Sequence, residues 1–248
     1  DKDTRVLSYQ PSYTQVNTFI TTNTDNYIKA NILDPLGEHS YNFNFCNDAD
    51  VVYLVNPNNP TGKLLEVDKI EELIKSHPDV LFIIDEAYYE FAKVSSCHLV
   101  ISHKNIVVTR TFSKAFGLAS IRLGYCMAHP DTLSHIRKIR NGKSVNALAQ
   151  MCGIAALDDL DYLDSRINEM NDAKKFFIDN LPHQYYAVDS HTNFVLLKTP
   201  NSREVLDKMK ENKILIRDRS SFTNLENCVR ITIGSKKQII RVLNVINL

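Results

Sequence analysis

The sequence predicts an α/β protein in which a mostly parallel sheet carries helices on both faces and is followed by a smaller α+β domain. Short apolar runs rich in β-branched residues alternate with helical patterns, the order of strand, helix and strand in such folds. The runs are almost continuously hydrophobic, as is typical of parallel strands buried on both faces. The order of elements changes from about residue 144 onward. With 248 residues, 44% of them hydrophobic, the chain is long enough to bury a substantial core.

Four apolar runs predict buried strands in the first part of the chain: Val51–Val55, residues 80–84, residues 106–109 and Gly124–Ala128. Between the first two runs lies LEVDKIEELIKSHPD, whose apolar side chains recur at helical spacing. Pro78 predicts the end of that helix. A strand, a helix and a second strand in this order indicate a parallel pair joined by a crossover helix.

The second part of the chain has a different order of elements. Two long helical patterns begin near residue 145, and a strand, NFVLL, and a helix around residues 203–211 follow. Two further strands, ILIR and VRITI, precede a closing helix that is predicted to run to Leu248. We therefore predict a large domain at residues 1–143 and a small α+β domain at residues 144–248.

Composition argues against several classes of partner. The 29 basic and 29 acidic residues cancel, so bulk charge does not favour nucleic acid, and the basic run IRKIRNGK is typical of a solvated helix face. Five scattered cysteines without a CxxC pair indicate free thiols in a reducing compartment. The histidines form no metal-binding motif, and no apolar stretch reaches transmembrane length. We expect a cytoplasmic protein without a metal, nucleic acid or membrane partner.

Polar motifs follow the predicted strands at the points where ligands bind in open α/β sheets. NPNNPTG follows the first strand, DEAYYEF the second and RTFSKAFG the third, with Arg122 shortly after. Each motif alone has a structural interpretation: a turn, a helix cap, a surface lysine or an ion-pair partner. Their joint occurrence at successive strand ends favours a functional site.

The motifs NPNNPTG, DEAY, TFSKAFGLASIRLGY and CVRITIGS resemble those of the fold-type I pyridoxal phosphate enzymes, specifically the histidinol-phosphate aminotransferase branch. The resemblance extends from PSY, which begins at Pro11, to the final helix. It implies the large domain of that fold, a small C-terminal domain and pyridoxal 5'-phosphate as cofactor. It also implies a homodimer, because members of this group are usually dimers.

The resemblance implies three catalytic residues: Lys114, Asp85 and Tyr88. Lys114 matches the amine that bonds the cofactor aldehyde and later moves a proton at the substrate carbon. Such an amine must be partly deprotonated, which neighbouring cationic groups promote. Asp85 matches the carboxylate that faces the pyridine nitrogen and keeps it protonated, so that the ring accepts electrons.

Further residues match positions around the cofactor. Tyr88 and Asn59 match the two hydrogen-bond donors to the phenolic oxygen of the ring, and the Asn59–Pro60 peptide bond is expected to be cis. Tyr13 matches an aromatic residue that stacks on the ring, although an ordinary core tyrosine is an equal alternative. The cup for the cofactor phosphate corresponds to Thr111, Ser113 and Arg122.

Two arginines of the second domain are predicted to bind the substrate. Arg230 matches the arginine that binds the substrate carboxylate in this superfamily, and Arg217 lies on a predicted neighbouring strand. Two guanidinium groups suit a phosphate dianion better than a carboxylate, so we infer a small phosphorylated amine as donor and a 2-keto acid as acceptor. The alternative is that Arg217 is solvated or paired with Asp218, and Arg219 is a weaker candidate.

Departures from the family pattern leave alternatives open. Lys143 and Ser144 stand where histidinol-phosphate enzymes usually carry a Pro-Tyr pair. Related enzymes convert dihydroxyacetone phosphate to serinol phosphate in surface-polysaccharide pathways, or decarboxylate phosphorylated hydroxy-amino acids. A non-catalytic aminotransferase-like module is the alternative of another class. Family members also carry an earlier segment with a glycine-containing loop at a helix N-terminus, and this sequence is expected to lack it.

Overall fold

The computed structural model describes residues 2–247, so the outer bounds of the two predicted domains, Asp1 and Leu248, lie outside the described residues. A six-stranded sheet has the order β2-β1-β3-β4-β5-β6. Its strands are β1 (Val6–Gln10), β2 (Tyr27–Asn31), β3 (Val51–Val55), β4 (Leu81–Asp85), β5 (Ile106–Thr111) and β6 (Gly124–Ala128). Every pair is parallel except β5 and β6. The mostly parallel α/β fold is therefore confirmed.

Helices cover this sheet on both faces. Helix α1 (Thr14–Asn23) buries Val16 and Ile20 against Val55 on one face. Helix α2 (Val67–Ser76) buries its own apolar side against the other face, where Val52, Leu54, Phe82 and Ile84 lie. Adjacent strand residues point to opposite faces, so these alternate residues of β3 and β4 all belong to one hydrophobic cluster on the α2 side of the sheet. The cluster contains Ile70, Leu73 and Ile74 of α2, the residues whose spacing predicts the helix.

Strand β6 differs from its prediction in one respect. Its bounds agree with the sequence pattern, but Gly124, Tyr125 and Cys126 are exposed, and β6 lies at the edge of the sheet. The prediction of a buried strand is wrong here, because an apolar run alone does not reveal whether a strand has a neighbour on both sides. Two further helices, α3 (Tyr89–Ala92) and α4 (Pro130–Ile139), lie in the first part of the chain. Helix α5 (Ala147–Asp158) follows them, after residue 144.

The second part of the chain forms a separate four-stranded antiparallel sheet. Its order is β7 (Tyr186–Ala187), β8 (Phe194–Lys198), β10 (Cys228–Thr232) and β9 (Arg217–Asp218). Helices α6 (Leu160–Asp179), α7 (Ser202–Glu211) and α8 (Lys236–Ile246) pack against it. Phe177, Leu197, Met209 and Val229 are fully buried in the resulting core. The predicted boundary near residue 144 falls between α4 and α5 and stays a prediction.

No helix within residues 2–247 is long and apolar enough to span a bilayer. The longest helix, α6, is amphipathic, and its buried positions Leu163, Ile167, Met170, Ala173 and Phe177 recur at helical spacing. The closing helix α8 begins at a capping box, in which the Ser235 hydroxyl accepts from the Gln238 backbone N–H and the Gln238 side chain accepts from the Ser235 backbone N–H.

Candidate active site

The polar motifs that follow β3, β4 and β5 lie at one edge of the six-stranded sheet. These strands are parallel neighbours, so their carboxyl ends meet there. Strand β6 runs antiparallel to β5, and its first residue, Gly124, pairs with Thr111. Arg122 precedes β6 by two residues and therefore reaches the same edge. The antiparallel strand thus adds a cation to a site that the parallel strands supply with a carboxylate and an amine.

A cavity of about 290 Å³ opens at this edge. The eight residues that the resemblance assigns to the cofactor all line it: Tyr13, Asn59, Asp85, Tyr88, Thr111, Ser113, Lys114 and Arg122. Lys114 and Asp85, which the sequence predicts on either side of one molecule, therefore face the same space. The volume is close to the lower limit of ordinary small-molecule sites.

Asp85, the last residue of β4, is a half-buried carboxylate with two hydrogen-bond donors. The Tyr53 hydroxyl donates to its Oδ2 at 2.7 Å, and the Ala87 backbone N–H donates to its Oδ1 at 3.1 Å. Burial raises the pKa of Asp85, while these hydrogen bonds and the charge of Lys114 oppose the rise. A poorly solvated carboxylate of this kind favours a cationic N–H partner.

Lys114 lies in the turn after β5, which closes through a hydrogen bond from the Gly117 N–H to the Lys114 carbonyl at 3.0 Å. Gly117 has φ +69°, a conformation that favours glycine. Burial lowers the pKa of Lys114, and the guanidinium groups of Arg230 and Arg122 lower it further, against the opposing charge of Asp85. A lysine in this setting has a larger neutral fraction near pH 7 and is a better nucleophile than a solvated one.

Asn59 connects the two sheets. Its Oδ1 accepts a hydrogen bond from Arg230 Nη1 at 2.7 Å, and its Nδ2 donates to the Tyr88 hydroxyl at 3.4 Å. Asn59 and Tyr88 are buried, and burial raises the pKa of Tyr88 to about 12. The Asn59–Pro60 peptide bond is cis, which confirms that expectation.

The NPNNPTG loop is held from both sides. The Asn58 side chain accepts from the Ser12 hydroxyl at 3.2 Å and donates to the Pro11 carbonyl at 3.0 Å, which links the loop to the segment that carries Tyr13. On the other side, the His191 N–H donates to the Gly62 carbonyl at 2.8 Å. Gly62 has φ +78°, and a Cβ there would lie 2.3 Å from the Ser190 hydroxyl oxygen. The close approach therefore requires glycine.

The three residues predicted for the phosphate cup lie together at the end of β5 and the start of β6. The Ser113 N–H donates to Thr111 Oγ1 at 3.0 Å, so the two residues form a tight turn. Arg122 is exposed, has φ +57° and donates from Nη1 to the Ala119 carbonyl at 2.9 Å. Two hydroxyls and one guanidinium group are donors suited to a phosphate.

A second cavity of about 370 Å³ adjoins the first and shares Tyr13, Asn59 and Lys114 with it. Arg217 and Arg230 line this second cavity. They are directly opposite each other on β9 and β10. Arg217 is exposed, as the solvated alternative expects. Its alternative pairing with Asp218 is absent from the described ion pairs, and the Asp218 carboxylate instead accepts from Ser220 at 2.8 Å and 2.6 Å. Lys114 thus lies where the two cavities join.

The sequence interpretation missed Tyr53 and Arg110, and it named Arg219 only as a weaker candidate. Tyr53 contacts Asp85. The sequence signal for Tyr53 was a single polar group inside an apolar strand. Arg110 lines the first cavity and forms a buried ion pair with Glu86 at 2.9 Å. The weaker candidate Arg219 lines the second cavity together with Ser12. Sequence spacing alone did not indicate which of these side chains turn inward.

The mostly parallel sheet has a lysine and a carboxylate in one cavity at its carboxyl edge, and the antiparallel sheet beside it supplies arginines. This is the arrangement of a fold-type I enzyme. The sequence matches the family "Aminotransferase class I and II" over residues 1–246. The chain belongs to this family.

Two curated relatives are similar to the chain. A dihydroxyacetone phosphate transaminase from Campylobacter jejuni is 43% identical over 194 residues, which is 76% of this chain and 52% of the relative. A histidinol-phosphate aminotransferase from Methanococcoides burtonii is 38% identical over 194 residues, 77% of this chain and 53% of the relative. The chain therefore spans about half the length of the curated relatives that it matches.

A solved structure supports the same fold. The L-threonine-O-3-phosphate decarboxylase from Porphyromonas gingivalis superposes with a TM-score of 0.85 at 28% identity, over 98% of this chain and 74% of the other. The similarity extends through both sheets, because it covers nearly the whole chain.

Proposed function

We propose that the whole protein is a pyridoxal 5'-phosphate-dependent aminotransferase that transfers an amino group from a small phosphorylated amine to a 2-keto acid. The observation that carries the proposal is the position of Lys114. Lys114 lines both a cavity that contains Asp85 and a cavity that contains Arg217 and Arg230, so it lies at their junction. A binding module has no need for a nucleophilic amine at that junction.

The residues of the first cavity fit this cofactor. Asp85 would hold the ring nitrogen. Burial disfavours its ionised form, and among the described charges that shift its pKa only Lys114 offsets this as a cation, so a protonated ring nitrogen would stabilise the carboxylate. Asn59 and Tyr88 would hold the phenolic oxygen, and Tyr13 would stack on the ring. Thr111, Ser113 and Arg122 would bind the phosphate, a group that needs the charge-assisted donors present there. When bound, pyridoxal 5'-phosphate supplies a ring that accepts the electron pair left on the substrate carbon.

Lys114 has two roles in this proposal. Its neutral amine would hold the cofactor by its aldehyde, with loss of water. Once the substrate amine has displaced it, the freed Lys114 amine would take and return the proton at the substrate carbon that bears nitrogen. Both roles need a lysine that exchanges protons near neutral pH. The lowered pKa of Lys114, caused first by burial and then by Arg230, supports this assignment.

Arg217 and Arg230 would orient the substrate by its anionic end. The phosphate of a phosphorylated amine can accept hydrogen bonds from both guanidinium groups, which fixes the distance from the anion to the reacting carbon. The acceptor keto acid would use the same groups through its carboxylate. Asn59 holds Arg230 in place through the 2.7 Å hydrogen bond.

Two named similarities keep narrower alternatives in view. The 43% identity to a dihydroxyacetone phosphate transaminase favours serinol phosphate as the donor. The structural similarity to a threonine-phosphate decarboxylase at 28% identity favours carbon dioxide release from a phosphorylated hydroxy-amino acid. A panel of histidinol phosphate, serinol phosphate, phosphoserine, glutamate and histidine on full-length protein, with carbon dioxide monitored, separates these reactions.

The role of Lys114 is tested by cofactor attachment. Full-length protein is mixed with pyridoxal 5'-phosphate, reduced with borohydride and weighed by mass spectrometry. We expect the wild type and the exposed control Lys175→Ala to gain the mass of the reduced cofactor, and Lys114→Ala to gain none. Attachment that survives in Lys114→Ala would contradict the assigned role, and a wild type that never attaches the cofactor would favour the non-catalytic module.

The organisation of the protein is also part of the proposal. We propose a cofactor-binding domain at residues 1–143 and a small domain at residues 144–248, and the two separate sheets support this division.

The five cysteines are free thiols, which supports a cytoplasmic location. A homodimer is supported by the exposed apolar side chains of α5, among them Leu148, Met151 and Ile154, because contiguous apolar surface marks interaction sites. Light scattering on the full-length protein measures the subunit number.

A further inference from the structure

The second cavity contains positive charge without a matching negative charge. Arg217, Arg219, Arg230 and Lys114 all line it, and no carboxylate lies among the described residues of its lining. The remaining lining side chains carry hydroxyl, amide and aromatic groups. Like charges in one cavity repel each other, and a protein retains such an arrangement at sites where a ligand supplies the opposite charge.

The strand register explains why three guanidinium groups share one face. Arg217 pairs with Arg230 across β9 and β10, so their side chains point to the same side of the sheet. The Arg219 N–H donates to the Cys228 carbonyl at 2.9 Å, which continues this pairing by one step beyond β9. Arg219 is two residues from Arg217 and therefore shares its face, diagonally opposite Arg230.

Arg219 is held in the cavity rather than extended into solvent. It is half-buried, and its Nη1 donates to the Asp218 carbonyl oxygen at 2.7 Å. Its guanidinium carbon lies 5.8 Å from the centroid of the Phe222 ring. Burial first, and then the charges of Arg230 and Arg217, lower the pKa of Arg219 to about 10, against the opposing charge of Asp218. Arg219 remains a cation at neutral pH, and its environment leaves that charge poorly compensated.

We propose that Arg219 is a specificity-determining residue that makes the substrate site select a phosphomonoester dianion over a carboxylate monoanion. The inference rests on the proposed function and names a residue that would select its phosphorylated substrate. Arg217 and Arg230 suffice to bind either anion, because each supplies a guanidinium group. A third cation raises the positive potential in the cavity, and a dianion gains about twice as much Coulomb energy from that potential as a monoanion does.

The inference is tested with two ligands that lack an amine and therefore cannot react. The full-length protein is first saturated with pyridoxal 5'-phosphate, so that the cofactor's own phosphate fills the predicted phosphate cup. It is then titrated with glycerol 1-phosphate and with glycerate in a calorimeter. The variants are Arg219→Gln, which removes the charge, Arg219→Lys, which retains it, and the exposed control Arg203→Gln on α7.

Compared with the wild type, we expect Arg219→Gln to bind glycerol 1-phosphate about tenfold more weakly and glycerate less than about threefold more weakly. The variant loses one charged hydrogen bond, and this loss acts mainly on the dianion. Arg219→Lys should keep the preference for the dianion, and Arg203→Gln should match the wild type. With the true phosphorylated donor, Arg219→Gln should raise KM and leave kcat nearly unchanged, a split that general misfolding would not produce.

The outcomes separate this inference from the proposed function. Equal weakening of both ligands in Arg219→Gln, or none, would overturn the role of Arg219 while leaving the aminotransferase proposal intact. If Arg219→Gln fails to fold, Arg219→Lys decides, because a folded lysine variant without the dianion preference contradicts a role based on charge. A wild type that attaches no cofactor would overturn the proposed function and this inference together.

Discussion

At the scale of single residues, Tyr53 adds to the site a hydrogen-bond donor to Asp85 that the sequence did not predict. Its hydroxyl donates to Asp85 at 2.7 Å from the middle of the apolar strand β3. Burial and the neighbouring Asp85 charge raise the pKa of Tyr53, so the hydroxyl stays protonated and remains a donor. Tyr53 therefore stabilises the ionised form of Asp85, the form that would hold a protonated ring nitrogen.

Tyr53→Phe should weaken cofactor binding. The variant removes one charged hydrogen bond, which is worth about 1.5 to 3 kcal/mol, so we expect the Kd for pyridoxal 5'-phosphate to rise about tenfold or more. Equilibrium dialysis measures this Kd. Tyr162→Phe, on the exposed side of α6, is the matched control and should leave the Kd unchanged. An unaltered Kd in Tyr53→Phe would show that Asp85 does not depend on this donor.

His39 is a second residue with a measurable consequence. It is buried, its Nε2 lies 3.0 Å from Thr61 Oγ1, and burial together with the charge of Lys63 lowers its pKa to about 4, against the opposing charge of Asp34. The unfolded state, with a histidine pKa of about 6.5, binds more protons between these two values. The free energy of unfolding should therefore fall as the pH is lowered through this window, by about 1.4 kcal/mol per pH unit from this group.

Denaturant unfolding of His39→Gln at several pH values isolates that contribution. The variant has no group to titrate there, so its free energy of unfolding should depend less steeply on pH between about 4 and 6.5 than that of the wild type. The exposed control His183→Gln should retain the wild-type slope. Parallel curves for wild type and His39→Gln would mean that His39 is not held neutral by burial.

At the scale of elements, a buried ion pair joins the ends of β4 and β5. Glu86 follows Asp85 and Arg110 precedes Thr111, and the two side chains meet with a separation of 2.9 Å while 1% and 8% exposed. The Glu86 carboxylate also accepts from the Ser96 N–H at 2.7 Å. The pair therefore fixes the distance between the strand ends that carry the predicted pyridine and phosphate ligands.

Breaking this pair from one side should cost far more than replacing both partners. Glu86→Ala leaves a buried guanidinium group unpaired, and we expect the free energy of unfolding to fall by about 3 to 5 kcal/mol. The double variant Glu86→Leu/Arg110→Met should lose less than Glu86→Ala alone. Urea unfolding measures both, with Lys175→Ala of the exposed Lys175–Asp179 pair as control, expected below about 1 kcal/mol. A double variant that is less stable than Glu86→Ala would contradict this account.

At the scale of the whole molecule, the two sheets share the control of one amine. Arg230 belongs to the antiparallel sheet, Lys114 follows a strand of the parallel sheet, and the charge of Arg230 lowers the pKa of Lys114. Asn59 holds Arg230 at this position by a hydrogen bond between the two parts of the chain. The pKa of the proposed nucleophile is thus lowered by a residue more than a hundred positions away in the sequence.

Arg230→Gln should raise the pKa of Lys114, so that less neutral amine is present at a given pH. We expect the pH profile for the rate of cofactor attachment to shift its acidic limb to higher pH. Stopped-flow absorbance across a pH series measures this. Arg217→Gln is the matched control, since Arg217 lines the same cavity but is not among the charges that shift Lys114. A profile that does not move in Arg230→Gln would remove Arg230 from the control of the amine.

Much of the molecule could be predicted from sequence pattern. The apolar runs located β3 and β6 at their observed bounds, and the helical spacing of Ile70, Leu73 and Ile74 located α2. The first fifty residues were assigned no element, and the structure has β1, α1 and β2 there. Helix α1 is rich in threonine and asparagine and buries only Val16 and Ile20, so it lacks both helix propensity and a clear apolar stripe. The predicted strand ILIR is wrong in its bounds, because the structure has only the two-residue strand β9 there, which begins at Arg217. The two-residue strand β7 is too short to produce a pattern.

By itself, the sequence determined which chemical groups the chain places after each strand: an amide, a carboxylate, an amine and a guanidinium group. Local propensity and hydrophobic periodicity suffice for this, because they depend on neighbours in the chain. Only the tertiary structure decided that Tyr53 supports Asp85, that β6 is an exposed edge and that Arg219 joins Arg217 and Arg230. Those outcomes depend on which strands pair and which faces they cover, and register and burial between distant segments are not encoded in any local pattern.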